Sequence, residues 1–149
     1  MKVVSALAAA FAALGLCVSA ATASPASRQS AHAGSFCGTA KGIARYLSQS
    51  LKLTASGVAA STPANLKLTY TTVVNHEGAL LASAPSSLKP SLTKTFSFVN
   101  VVKSDFQKAD WQIAKLTPYF PALVAKGNAA AKPIAAVKTY LDDTCHLPI

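Results

Sequence analysis

At 149 residues the chain has room for one domain and not for two. Fourteen Lys and Arg against five Asp and Glu give a formal net charge of +9, a balance that favours anionic surfaces such as cell-wall polymers or lipid headgroups. The basic residues stand singly from Arg28 to Lys138, with no basic–aromatic interleaving, so specific nucleic-acid binding is not expected.

The N-terminus has the layout of a secretory signal peptide. Met1-Lys2 is a short positive region, residues 3–18 are apolar and uncharged, and Ala21-Thr22-Ala23 offers small residues before Ser24. Cleavage is expected after Ala23, with Ala20 as the second choice, and the apolar run is short for a membrane span. Cys17 has the bulky Leu16 before it, which departs from a lipoprotein box, so Cys17 is expected to leave with the signal. The domain plan is then a signal peptide at 1–23, a flexible leader at 24–35 that includes a solvated His32, and a helical domain at 36–149. The protein is expected to be secreted, with no stable membrane span after cleavage, and to associate with the cell wall through its charge.

The mature part retains two cysteines, Cys37 and Cys145. An even count in an exported chain reads as a disulfide, and two cysteines allow one intramolecular pairing. It would close a loop of roughly 100 residues, for which chain entropy predicts on the order of 4–5 kcal/mol.

In chain order, the first helix is predicted over 36–51, with Phe36, Ala40, Ile43, Leu47 and Leu51 on one side and Lys41 and Arg45 opposite. A turn-rich connection follows through Thr54, Gly57 and Ala60. The second helix starts at Thr62-Pro63, a capping hydroxyl before a proline that suits the first helical position. Its face is Leu66, Tyr70, Val73, Glu77, Leu80, Leu81 and Ala84; the β-branched run at 69–74 competes as a strand signal, but the helical spacing continues for five turns.

Residues 82–90 break the pattern. The longest predicted helix spans 92–116, where Phe96, Val99, Val102, Phe106, Ala109, Ile113 and Leu116 recur at helical spacing and Lys94, Asp105, Lys108, Gln112 and Lys115 form a wet side. Trp111 points away from this stripe and is expected to be covered by residues 117–121. Thr117-Pro118 then starts a short helix that Gly127-Asn128 ends. A last helix over 133–144 places Ile134, Val137, Leu141 and Cys145 on one side. Both cysteines then lie on core-facing flanks of the first and last helices, which must be neighbours if they pair. The fold class is therefore all-α: a four- to five-helix bundle with its first and last helices joined by a disulfide and preceded by a signal peptide.

No catalytic constellation accompanies this fold. His76-Glu77 is not followed by a second histidine at the spacing a zinc protease needs, and no glycine-rich phosphate loop or nucleophile elbow is present. Asp105, Asp110, Asp142 and Asp143 read as surface or helix-end acids. Glu77 stands out as an acid within an apolar stripe, where a carboxylate must be paired, protonated or near the bundle's edge. Three functions are compatible: a non-enzymatic interaction or cell-envelope protein without cofactor or metal; a carrier of an apolar ligand or haem with Tyr70, His76 and Glu77 as polar contacts; and a hydrolase built around Glu77. The first is the principal expectation.

Cys37, the stretch Thr62-Pro63-Ala64-Asn65-Leu66-Lys67 and residues 140–145 (Tyr-Leu-Asp-Asp-Thr-Cys) resemble a loosely defined group of small, alanine-rich secreted helical proteins of high-GC Gram-positive bacteria. The resemblance implies location and fold class and carries no activity with it.

Overall fold

The computed structural model describes residues 25–51 and 61–149, with side chains from Ala33 onward in the first stretch. The predicted signal peptide, Cys17 and the turn-rich residues 54–60 lie outside the described residues. Among the described residues every regular element is helical: α1 (Pro25–Gly42), α2 (Ala44–Leu51), α3 (Pro63–Asn75), α4 (Glu77–Ser83), α5 (Lys89–Lys108), a 3₁₀ helix η1 (Ile113–Tyr119) and α6 (Phe120–Asp143).

Several of these elements are interrupted rods. α1 and α2 meet at Ile43, whose side chain is buried, so the Phe36–Leu47 stripe continues through the hitch. α1 begins at Pro25, so helical backbone runs through most of the segment predicted as a flexible leader. Similarly, α3 and α4 meet at His76, which ends one helix and starts the next. The predicted start of α3 is found as expected: Thr62 is extended, and its hydroxyl accepts a hydrogen bond from the Asn65 N–H at 3.3 Å.

α5 lies at the centre and packs against α3, α4, η1 and, most extensively, α6. Leu92, Phe96, Val99, Val102 and Phe106 are all buried along one face. Each such side chain contributes about 2 kcal/mol of gross burial free energy, most of which offsets the conformational entropy lost on folding.

The long helix stops at Lys108, eight residues before the predicted end at Leu116. The Trp111 N–H bonds back to the Phe106 carbonyl at 2.7 Å and the Asp110 N–H to the Gln107 carbonyl at 3.1 Å. This pair of bonds is a Schellman stop, with Asp110 (φ 52°) in the left-handed position that glycine usually fills. Trp111 is also left-handed (φ 61°), and its ring stacks on Phe106 with centroids 5.9 Å apart and planes 6° from parallel. That contact between the residue after the stop and the one three before the cap is the apolar lock of the motif. Trp111 is therefore seated on Phe106, from the helix it follows, and half-buried.

α6 departs further from expectation. Neither Gly127-Asn128 nor Pro133 ends it, and the predicted short and last helices are one 24-residue helix that starts at Phe120 instead of Thr117-Pro118. The reason is a continuous inward row: Leu123, Gly127, Ala130, Ile134, Val137 and Leu141 alternate at steps of four and three across the supposed breakers. At Gly127 the Phe98 ring lies 3.5 Å from where a Cβ would stand, so the glycine marks where α5 and α6 approach. Tertiary packing outweighs the local cost of about 1 kcal/mol for an internal glycine and about 3 for a proline.

Past α6, His146 is left-handed (φ 53°), and the Leu147 N–H returns to the Leu141 carbonyl at 2.9 Å. At this reversal Cys145 is bonded to Cys37, with Cα atoms 5.1 Å apart and a sequence separation of 108. Phe36 and Tyr140 meet edge-on at 5.7 Å, so the first and last helices are neighbours as the pairing requires.

Two stability outcomes follow from these closures. Replacing Cys37 and Cys145 together by serine is expected to lower unfolding free energy by on the order of 4–5 kcal/mol, read as an earlier midpoint in a urea titration. Asp110→Gly is expected to raise stability by about 0.5 kcal/mol, because relief of the left-handed strain exceeds the loss of one exposed ion pair and the added freedom of the unfolded chain; a thermal melt reads it.

Candidate functional site

Tyr70, His76 and Glu77 occupy one rod, yet the fold gives each a different partner. Tyr70 projects from the middle of α3 into the core, 1% exposed, with its ring 5.4 Å from that of Phe106. Tyr70, Phe106 and Trp111 thus form an aromatic column from α3 across α5 to the turn beyond it. Burial pushes the Tyr70 phenol well above its ordinary pKa, which keeps it neutral.

His76 folds back on its own helix. Its Nδ1 lies 2.8 Å from the Thr72 carbonyl, which fixes Nδ1 as the protonated nitrogen when the ring is neutral. The same carbonyl also accepts from the His76 backbone N–H at 3.3 Å, so the ring adds a second bond at the end of α3.

Glu77 is half-buried at the first position of α4, where a carboxylate is favoured by the helix N-terminus. Its Oε2 accepts a hydrogen bond from the Asn100 side-chain amide on α5 at 2.8 Å. The acid in the apolar stripe is thus held by an amide across the α4–α5 contact and pairs with no lysine among the described residues. It ties two helices together, as Thr69 does for α3 and α2 through its bond to Gln49 Oε1 at 2.9 Å. The three residues are thus engaged separately: one fills the core, one caps a helix, and one bridges two helices. No group of three His, Cys, Asp or Glu side chains among the described residues is placed to hold a metal ion.

Asp105, expected on the wet side of the long helix, is buried and accepts from Lys108 Nζ at 2.8 Å. The same ammonium stands 5.7 Å above the Tyr119 ring. Asp105 holds Lys108's proton more firmly than an isolated lysine would, raising its pKa. The Asp105–Lys108–Tyr119 set fastens the end of α5 to η1, and Asp110–Lys115, also at 2.8 Å, does the same on the outside.

One feature had no local signal in the sequence. A shallow cleft of about 400 Å³ lies beside the disulfide, between the α4–α5 connection and the end of α6. It is bordered by Ser87, Leu88, Thr139, Tyr140, Asp143 and Thr144. Its walls come from segments about 50 residues apart, brought together only by the closure of the bundle.

The buried phenol makes stability pH-dependent. Folded Tyr70 keeps a proton that the unfolded chain releases near pH 10, so the stabilisation is complete below that pH and is lost as pH rises above it. Tyr140 and Lys108 shift in the same direction but are more exposed, so Tyr70 dominates. Urea titrations between about pH 8 and 11 are expected to show this alkaline decline, and Tyr70→Phe to flatten it. Comparison of the chain with protein families, characterised proteins and solved structures found no match.

Proposed function

We propose that this protein is an exported, non-enzymatic component of the cell envelope that is retained on anionic surfaces by its own charge. The observation that carries the reading is how the fold distributes its charges. Asp105 and Asp110 are each engaged by a lysine, and Glu77 is held by Asn100. Lys41, Arg45, Lys67, Lys94, Lys126 and Lys132 are exposed on α1, α2, α3, α5 and α6, outside the two ion pairs formed among the described residues. Asp105 is buried and Glu77 half-buried, so only Asp110, Asp142 and Asp143 stand exposed against these six outward-facing cations, and the exposed charge around the bundle is mostly positive.

Export is supported by the N-terminal layout and by the Cys37–Cys145 disulfide, a bond that persists in oxidising compartments. No helix among the described residues is long and apolar enough to cross a membrane, which favours attachment at a surface. The scattered placement of Tyr70, His76 and Glu77 lends no support to a carrier or hydrolase centred on them.

Attachment of this kind weakens with ionic strength, because mobile ions screen exposed charges. Protein bound to isolated cell-wall material is expected to elute between about 0.1 and 0.5 M salt, over which the screening length falls from about 10 Å to a few Å. Retention unchanged across that range would remove the electrostatic basis of the proposal.

A further inference from the structure

The cleft beside the disulfide carries a chemistry that charge-based attachment does not use. Ala136, Thr139, Tyr140, Asp143 and Thr144 fall at helical spacing on one face of the end of α6. Val137 and Leu141 from the same turns fill the core, so this face is left to the cleft. The opposite wall is Ser87 and the buried Leu88, from the α4–α5 connection. The Cys37–Cys145 bond and the Phe36–Tyr140 contact hold the α6 wall in place.

The polar groups of this cleft are free. The hydroxyls of Ser87, Thr139, Tyr140 and Thr144 and the Asp143 carboxylate form no hydrogen bond or ion pair among the described residues. Thr39, Ser83 and Thr95, by contrast, each bond back to a carbonyl four residues earlier. Asp143 also stands at the last position of α6, against the negative end of the helix dipole, with no cation to offset that cost. A local rule broken without a compensating contact is a mark of a functional position.

We propose that this cleft binds an uncharged saccharide. The Asp143 carboxylate accepts from sugar hydroxyls, the protein hydroxyls donate or accept, and Tyr140, Leu88 and Ala136 meet the C–H side of the pyranose. The chemistry of the walls selects that ligand. Asp143, with Asp142 next to it in the chain, repels an anion. An apolar ligand would bury the carboxylate and the free hydroxyls without partners. A metal ion would meet one carboxylate here, and no group of three His, Cys, Asp or Glu among the described residues is placed to hold one. A saccharide brings hydroxyls for the polar groups and an apolar face for the rest. The volume of about 400 Å³ is within the range of small-ligand sites.

The test is an amide NMR titration of the disulfide-bonded protein in about 0.5 M salt, where exposed charges are screened. The probes are maltotriose, cellotriose and mannotriose, each raised to about 20 mM, enough to detect a millimolar site. Glycerol at matched hydroxyl concentration and N-acetyl-lysinamide are run alongside. At least one trisaccharide is expected to shift resonances at 86–89 and 136–145, with glycerol shifting none of them. Asp143→Ala is expected to weaken that binding about tenfold, the scale of one charge-assisted hydrogen bond. Ala136→Met, which lays a longer side chain on the cleft floor from an exposed helix position, is expected to do the same. Both variants are expected to keep the wild-type melting temperature, because neither residue is in the core.

The proposal is overturned if no trisaccharide shifts these resonances, if the shifts fall elsewhere, or if both variants titrate like wild type. It is also overturned if glycerol reproduces the shifts, which would reduce them to a general polyol effect. Shifts with N-acetyl-lysinamide and none with the sugars would make the carboxylate a cation site and remove the saccharide. The probes carry no charge and the salt screens the bundle, so failure here leaves the electrostatic attachment standing. Conversely, salt-insensitive retention on cell-wall material would refute that attachment and leave the cleft's titration unaffected.

Discussion

The fold depends on covering one face of α5. Leu92, Phe96, Val99, Val102 and Phe106 form an apolar line about 20 Å long, taking 1.5 Å per residue, that a lone helix would leave in water. α3 and α4 cover it from one direction and α6 from another, while η1 covers its end. Everything peripheral to that burial orients the covering helices. The Glu77–Asn100 hydrogen bond sets α4 on α5, Lys108 and its partners fasten η1, and the Tyr70–Phe106–Trp111 column aligns α3 with the turn beyond α5.

The apolar periodicity was legible because helix burial has a simple geometric signature. Every residue predicted for the buried stripe of the first helix is buried or packed on the core, and the Thr62-Pro63 start is formed by the bonds it implied. The pairing of Cys37 with Cys145 followed from there being no other intramolecular choice. Element ends were less legible. The stop after Lys108 uses aspartate where glycine is the usual signal, so nothing local announced it. Leu116 was nevertheless placed correctly as a core residue, because η1 returns it to the surface that a longer helix would have covered. At Gly127 and Pro133 the opposite happened: strong local stop signals were overridden by an inward row that spans them.

The candidate site was less readable for a different reason. Glu77 was singled out as an acid in apolar company, and that anomaly is real. Its resolution, an amide on another helix, depends on which residue α5 presents at that height, and spacing within one helix holds no such information. Asp105 was assigned to solvent because it lies beside the stripe, yet η1 folds over that flank and buries it. Phe120 and Val124 are large apolar residues that stand exposed. Once α6 is continuous, its inward line runs through Leu123 and Gly127, and the two residues turn outward.

The disulfide has a mechanical meaning beyond its entropy. A chain pulled at its two ends carries tension along its backbone. Tension entering before Cys37 crosses the sulfur–sulfur bond to Cys145 and leaves by the last four residues. The helices enclosed between the two cysteines are shunted out of the load path. The bundle can therefore act as a knot of fixed length in a stretched tether, because extending it would require breaking a covalent bond.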